Sequence, residues 1–558
     1  MEKSRWNSRL AAAVCLALFS VSAEAAIPEI KFSPGEEPVS VFSGFSLAWG
    51  GFRVPDAELL PFPNPSVSYR PAWAVKNENE IESYFPKKRT GRAVIELSAF
   101  MMTAQVHYWL KYYKFIEDWQ FRLNFKDQAK RFFTLEAIRF DSNAYYLNWS
   151  HSFAGAVYYQ FARTNYFSWR GAWLTSMIGS LWWEYVAEWR EIISINDLIF
   201  TGIGGLPFGE AWFQLSNFLA SSDSPFFGLL SFINPALKLN RWFDRKKLRG
   251  RHFEFGWHRF SVEVGARSLK KTGGYEFNDF FGFRTEIINP AGYGRTGSSF
   301  LKIKDIYSSS IVGNIARADG ATQEANLWLG VRGPGKFRQE IDDLGRGYTL
   351  YFGIGSAFSY FRKRPVEFYD AGVIKANERD KLLLDEPRNF RDKLSTVHVA
   401  GPVVDWTLRR RGLQMRTQVE GYLDFAMPNA YALNEYSREH DISGMKTTVM
   451  FYGYYYGLGG TLSGKAEARL GNLDVSGEAL YQRWDSIEGR DRFQADLTDD
   501  CDLDDSRTML TAAASWRIPD SFVDLFFRYE YIKRWGKIHD FTMTGSERRT
   551  FIGLRFVF

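Results

Sequence analysis

The chain has almost no cysteine. Of its 558 residues only Cys15 and Cys501 are Cys. Cys15 sits in an N-terminal apolar run, so a processed chain keeps one thiol and forms no intramolecular disulfide. Long hydrophobic runs are missing too. After Phe19 no stretch approaches the 20 or so apolar residues that a membrane helix needs. The longest, Gly171 to Trp183, has 13 residues and contains Ser176 and Ser180. Charge of one sign is also lacking. Lys and Arg total 70 and Asp and Glu 64, for a net charge of +6, which argues against a nucleic-acid partner. The seven histidines are scattered. No Gly-x-Ser-x-Gly elbow and no His-Glu-x-x-His occur. Gly459, Gly464 and Lys465 mimic a phosphate loop, but Ala466 stands where Ser or Thr is required. With no complete motif, the metal and the cofactors stay unassigned.

What is abundant is aromatic residues and glycine: 49 Phe, 28 Tyr, 19 Trp and 47 Gly, with a negative mean hydropathy. Membrane barrels combine outward aromatics with inward polar residues, so their average hydropathy stays low. The N-terminus has Lys3, Arg5 and Arg9, an apolar run from Leu10 to Phe19, and Ala23-Glu24-Ala25. This is the pattern of a secretory signal over residues 1–25, cleaved after Ala25 or Ala26. Val14 precedes Cys15, where a lipoprotein signal needs a small residue, so no lipid anchor is expected. At the other end Thr550, Ile552, Leu554, Phe556 and Phe558 share one face of a strand. A final strand closing on a terminal Phe resembles the last strand of bacterial outer-membrane β-barrels. That resemblance implies the outer membrane of a Gram-negative cell. It also implies contact with outer-membrane lipid and lipopolysaccharide, and recognition by the outer-membrane assembly machinery through the strand ending in Phe558.

Between these ends the chain divides. Residues 26–90 are Pro-rich and read as an extended lead-in. Residues 91–245 show helical spacing, with candidate helices Ala93–Tyr113, His151–Tyr166, Trp169–Ile192 and Glu210–Leu219. Over 250–558 the period becomes two. Leu413, Met415, Val419, Leu423 and Phe425 oppose Gln414, Arg416, Gln418, Glu420 and Asp424. Twelve strands are expected, near 252–268, 276–289, 298–311, 323–333, 346–362, 394–409, 412–427, 446–471, 473–486, 507–518, 521–535 and 547–558. Short links at Arg410–Gly412, Gly471–Asn472 and Pro519–Asp520 alternate with long ones at 363–393, 428–445, 487–506 and 536–546. The fold class is therefore an α+β membrane protein: an N-terminal helical domain followed by an antiparallel transmembrane β-barrel of about 12 strands. The helical domain is expected beneath the barrel, on the periplasmic side, or inside it. Inward positions carry both signs, as in Arg259, Glu263, Arg267, Arg416, Glu420, Asp424, Arg528 and Glu530. Opposite charges fill a lumen with ion pairs, so a largely closed barrel is expected rather than a selective pore. The acids Asp491, Asp496, Asp499, Asp500, Asp502, Asp504 and Asp505 lack the spacing of a calcium loop and read as a solvated, mobile outer loop.

The helical domain carries the chemistry. Ser176, Ser180, Glu184 and Glu188 recur every four residues, with Glu191 following, and so form a connected face. With His151 opposite, these acids suit an acid–base pair or a metal site; the alternative is that Glu184 and Glu188 pair with Arg163, Arg170 or Arg190. The candidate catalytic residues are His151, Glu184 and Glu188. Arg163, Glu191, Asp197 and Glu210 are candidate binding residues. Two runs here also carry a resemblance. One is Asn148-Trp149-Ser150-His151 with Gly155, Tyr158-Tyr159 and Ala162-Arg163. The other is Ser180-Leu181-Trp182-Trp183-Glu184-Tyr185 with Glu188, Ser194, Asp197-Leu198-Ile199, Gly204-Gly205 and Gly209-Glu210. Together they resemble an uncharacterised family of bacterial outer-membrane proteins defined by domain of unknown function 3943, over about residues 145–235. Ser152 and Gly202 depart from prolines common there. The resemblance implies an envelope location and a barrel partner domain, and no activity. The functional expectation is envelope maintenance, or lipid or partner binding. The alternatives are an envelope lipid- or glycan-modifying enzyme using His151, Glu184 and Glu188, and a channel or transporter.

Overall fold

The computed structural model describes residues 88–112, 121–142, 145–221, 225–244, 257–271, 274–290, 292–363 and 392–557. The signal segment and nearly all of the lead-in and of the 363–393 link lie outside the described residues.

The first part is helical: α1 (Thr90–Tyr112), α2 (Phe125–Phe133), α3 (Tyr145–Arg163), α4 (Trp169–Trp182), α5 (Gly205–Ser221), α6 (Pro225–Leu230) and α7 (Pro235–Phe243). Local chemistry fixes the ends. Asn124, Ser168 and Asn234 each cap a helix with a side-chain acceptor. The expected Trp169–Ile192 helix is broken. After Trp182 it widens into a π turn, Trp183–Ala187. The chain then forms β2 (Ile193–Ser194), which pairs in parallel with β1 (Ile138–Arg139). Helix α3 approaches the turn Leu198–Ile203 closely at Gly155, and α5 approaches α4 closely at Gly205. A Cβ on Gly155 would lie 1.9 Å from the Thr201 carbonyl oxygen, and one on Gly205 would lie 2.4 Å from Ser176 Oγ.

The second part is a closed antiparallel barrel: β3 (Trp257–Lys271), β4 (Gly274–Ile288), β5 (Gly297–Ile303), β6 (Ser308–Ala318), β7 (Ala321–Ile341), β8 (Gly347–Lys363), β9 (Lys393–Arg410), β10 (Leu413–Pro428), β11 (Gly457–Leu470), β12 (Leu473–Ser486), β13 (Leu503–Arg517), β14 (Val523–Ile538) and β15 (Phe541–Val557). β5 and β6 pair with successive halves of β7, so together they occupy one position. Twelve positions result, and β15 closes on β3. Two sequence expectations are corrected. Residues 446–471 are not one strand: Thr447–Tyr452 is a helix, stopped by Gly453 in the left-handed region, and β11 begins at Gly457. The 536–546 link is not long. Ile538 pairs with Phe541 across the turn His539–Asp540. Polar residues on the outward face there (Lys537, Thr542, Thr544) break the apolar-out pattern.

The two faces separate by register. Arg332 of β7 bonds Glu286 of β4 and Glu420 of β10. Arg416 bonds Asp405 (2.6 Å) and Glu286 (2.7 Å). Arg267 and Arg549 share Glu324, each at 2.7 Å, and Lys363 of β8 pairs with Glu547 of β15. Strands that are not neighbours reach one another only across the lumen, so these charged residues point inward. Alternating residues therefore point outward. On β10 to β15 they are exposed and apolar, as with Leu462, Val475, Leu510, Phe527 and Ile552.

On β4 to β10 part of the outward face is covered instead, while Phe352, Ile354 and Leu423 stay exposed. Phe283, Ile311, Leu327, Leu329, Phe358, Val397 and Phe425 form one core with Trp149, Ala156, Phe200, Phe208, Ala211 and Leu215 of the helical unit. The helices thus lie against the outside of the barrel wall. The expectation of a lumen-docked helical domain is corrected. The lumen is occupied by strand side chains, and the apolar surface that helices can bury is on the outer face. The unit runs from one rim to the other. Trp169 Nε1 donates to the Lys304 carbonyl, while Phe140 bridges Asp491 in the loop between β12 and β13. That loop is not a free acidic tail. Asp491 accepts from Thr447 N–H (3.0 Å) and Thr447 Oγ1 (2.6 Å). Lys446 pairs with Asp500 and His539 with Asp499.

Candidate functional site

The polar cluster of the helical unit is built on two irregular turns. The π turn Trp183–Ala187 and a second, Leu198–Ile203, flank the acids. Such insertions in helices concentrate at functional positions. The first turns Glu184 inward, to 1% exposure. There the Ser194 N–H donates to Glu184 Oε2 at 2.8 Å. Trp183 Nε1 donates to Glu188 Oε1 at 2.8 Å, and the Tyr108 hydroxyl donates to Glu191. His151 Nε2 lies 3.2 Å from Asp197 Oδ1, an oxygen that also accepts from Asn196 Nδ2 at 2.7 Å. Asn196 Oδ1 in turn accepts from the Asp141 N–H, and Asp141 pairs with Arg492 of the far-rim loop.

The backbone of the turn is braced by Arg131, which is fully buried. Its guanidinium donates to the carbonyls of Glu191 (2.7 Å), Glu188 (3.0 Å), Tyr185 (3.1 Å) and Glu184. Carbonyl oxygens, not carboxylates, receive it. The alternative pairing of Glu184 and Glu188 with Arg163, Arg170 or Arg190 is absent: among the described residues neither carboxylate has a basic partner. Burial therefore holds the Glu184 carboxyl well above the usual range. The nearby charges of Glu188 and Asp197 add to the rise, and the Ser194 N–H opposes it. Glu188 is raised by burial and then by Glu191 and Asp197, against its bond from Trp183. Glu191 is raised by burial, while the Tyr108 bond and Arg492 pull it down. Burial and neighbouring like charges disfavour the ionised form of these carboxyls. The arrangement can hold and pass protons. No group of three His, Cys, Asp or Glu among the described residues is placed to hold a metal.

The seven residues singled out from sequence fall into two clusters. His151, Glu184, Glu188, Glu191 and Asp197 come together. Arg163 and Glu210 lie at the opposite end of α3, in a saturated clamp. Arg163 donates to Glu210 at 3.0 and 3.1 Å. Tyr159 donates to it at 2.5 Å and Gln214 at 2.6 Å. Sequence reasoning missed Tyr108, Arg131, Asp141 and Arg492. Arg492 is 351 residues from Asp141, and no local spacing announces such a pair.

Residues 137–235 match the family model described as "Domain of unknown function (DUF3943)", which bears out the family resemblance over the run that carries the acids. Comparison with curated proteins gave no match. Several solved outer-membrane barrels are similar to this chain. The translocator domain of the autotransporter NalP from Neisseria meningitidis is 11% identical, with 57% of this chain and 93% of that one covered and a TM-score of 0.19. The β domain of the Bordetella autotransporter BrkA is 12% identical, covering 55% and 100%, with a TM-score of 0.20. The outer-membrane channel DcaP of Acinetobacter baumannii is 11% identical, covering 54% and 96%, with a TM-score of 0.21.

Proposed function

We propose that the protein is an outer-membrane barrel of envelope maintenance whose helical unit is a lateral, lipid-facing attachment rather than a gate or a periplasmic domain. One observation carries this reading: the helices bury part of the outward face of the wall from β4 to β10. On a barrel that spans a membrane, that face lies in the bilayer. The free side of the unit is apolar, with Leu174 58%, Ile178 53% and Trp182 47% exposed on α4. Contiguous apolar exposure of this kind marks a membrane or partner surface. No described helix is long and apolar enough to cross a membrane, so the barrel spans and the helices ride on it. The buried acids, set between the helical unit and the far-rim loop, are the part available for ligand or proton chemistry.

The test labels Ile178→Cys with a fluorophore in folded full-length protein in phospholipid vesicles. Nitroxide-labelled phospholipid is expected to quench it strongly and aqueous iodide weakly. The reverse pattern removes the helical unit from the bilayer and overturns the reading.

A further inference from the structure

The barrel interior holds a second constellation, unrelated to the acids of the helical unit. Ser359 of β8 places Oγ 3.0 Å from His398 Nε2. The other ring nitrogen of His398, Nδ1, lies 2.7 Å from Asp424 Oδ1. The second oxygen of Asp424 accepts from Thr461 Oγ1 at 2.6 Å and from Trp484 Nε1 at 3.3 Å. The aspartate is thus fixed on both oxygens and the histidine is held by its Nδ1. This is the nucleophile, base and orienting acid of a serine hydrolase, which is recognised by geometry and roles rather than by position in the chain. We propose that Ser359, His398 and Asp424 form a hydrolytic triad for small carboxylic esters that enter the barrel lumen.

The side chains of His398 and Asp424 are fully buried, and Ser359 is buried at 9% exposure. Trp328 and Asn326 face inward on β7 and remain partly accessible. Trp328 is in register with Ser359, and its ring lies 4.8 Å from that of His398. Arg284, also inward, is 38% exposed at its side chain. Asn326 sits two residues from Trp328 on the same face. In the reaction, Ser359 Oγ bonds to the acyl carbon as its proton passes to His398 Nε2. The tetrahedral oxyanion collapses, and the leaving alkoxide takes that proton and departs as the alcohol. Water then adds to the acyl-enzyme carbon, giving a proton to His398. Collapse expels Ser359 Oγ, which recovers the proton, and the carboxylic acid is released. No oxidant or metal is needed.

Folded full-length protein in detergent would be treated with diisopropyl fluorophosphate, digested and mapped by mass spectrometry. Hydrolysis of p-nitrophenyl acetate would be followed in parallel. One adduct on Ser359 is expected, with labelling and hydrolysis both reduced about 100-fold or more in His398→Gln. Asp424→Asn should lower hydrolysis while Ser359 is retained, through the wrong imidazole tautomer. A folded wild-type protein that takes no adduct on Ser359 overturns the proposal, whatever the variants do. So does labelling that His398→Gln leaves unchanged, which reduces the trio to a structural hydrogen-bond network.

Discussion

Glu184 is a carboxylic acid with one backbone donor and no cation, set 1% exposed inside a helical unit. Its pH behaviour follows. Its folded pKa is raised, chiefly by burial, so the folded state binds the proton more tightly than the unfolded chain does. The associated stability is fully present below the ordinary carboxylate range, near pH 4.3, and is lost as pH rises through the raised folded value. Glu188 and Glu191 shift in the same direction and steepen the loss. The thermal midpoint of the helical circular-dichroism signal should fall as pH rises above the ordinary carboxylate range, and Glu184→Gln should flatten that slope. A variant slope equal to wild type would mean that Glu184 is ionised in the fold. The four-residue spacing of Ser180, Glu184 and Glu188 was legible in the sequence. That they would lack basic partners was not, because Arg163 was taken by Glu210 and Arg131 by main-chain carbonyls.

At the scale of elements, the contact of α3 with the turn Leu198–Ile203 rests on backbone approach. Gly155 has no room for a side chain: its Cβ would meet the Thr201 carbonyl oxygen at 1.9 Å, and backbone there cannot move aside. Gly155→Val should destabilise the helical unit by about 2 kcal/mol or more, read as accelerated proteolysis within α3 to α5 while the barrel core stays resistant. Equal resistance of both parts would show that the helices tolerate a wider crossing. The same scale explains which elements the sequence disclosed. Strands with one apolar face, such as β10 and β14, follow their alternation closely. The helix Thr447–Tyr452 did not, since Val449, Phe451 and the tyrosines after it read equally as strand. Only the left-handed Gly453 that ends the turn decides it. The π turns are likewise invisible in pattern, because one inserted residue leaves the apolar spacing nearly intact.

For the whole molecule, the lumen is crossed by two layers of ion pairs. One centres on Arg332, Glu286 and Arg416, the other on Arg267, Glu324 and Arg549. Helices α8 (Leu433–Glu439) and α9 (Thr447–Tyr452) pack over the far rim with the β12–β13 loop. Purified full-length protein in planar bilayers is expected to show no steady conductance, whereas a wide open pore would reject the closed reading. The sequence by itself determined the class of the molecule. Period-two alternation and twelve strand-length segments describe a barrel because each signal is local, set by side chains two residues apart. It also marked the acids of the helical unit, since four-residue spacing is local too. Only the tertiary structure decided that the helices lie on the outer wall, and that Ser359, His398 and Asp424 meet. Both depend on which strands face one another across a closed ring and which outward apolar positions find a partner. Ring closure joins residues far apart in the chain, and no periodicity encodes that.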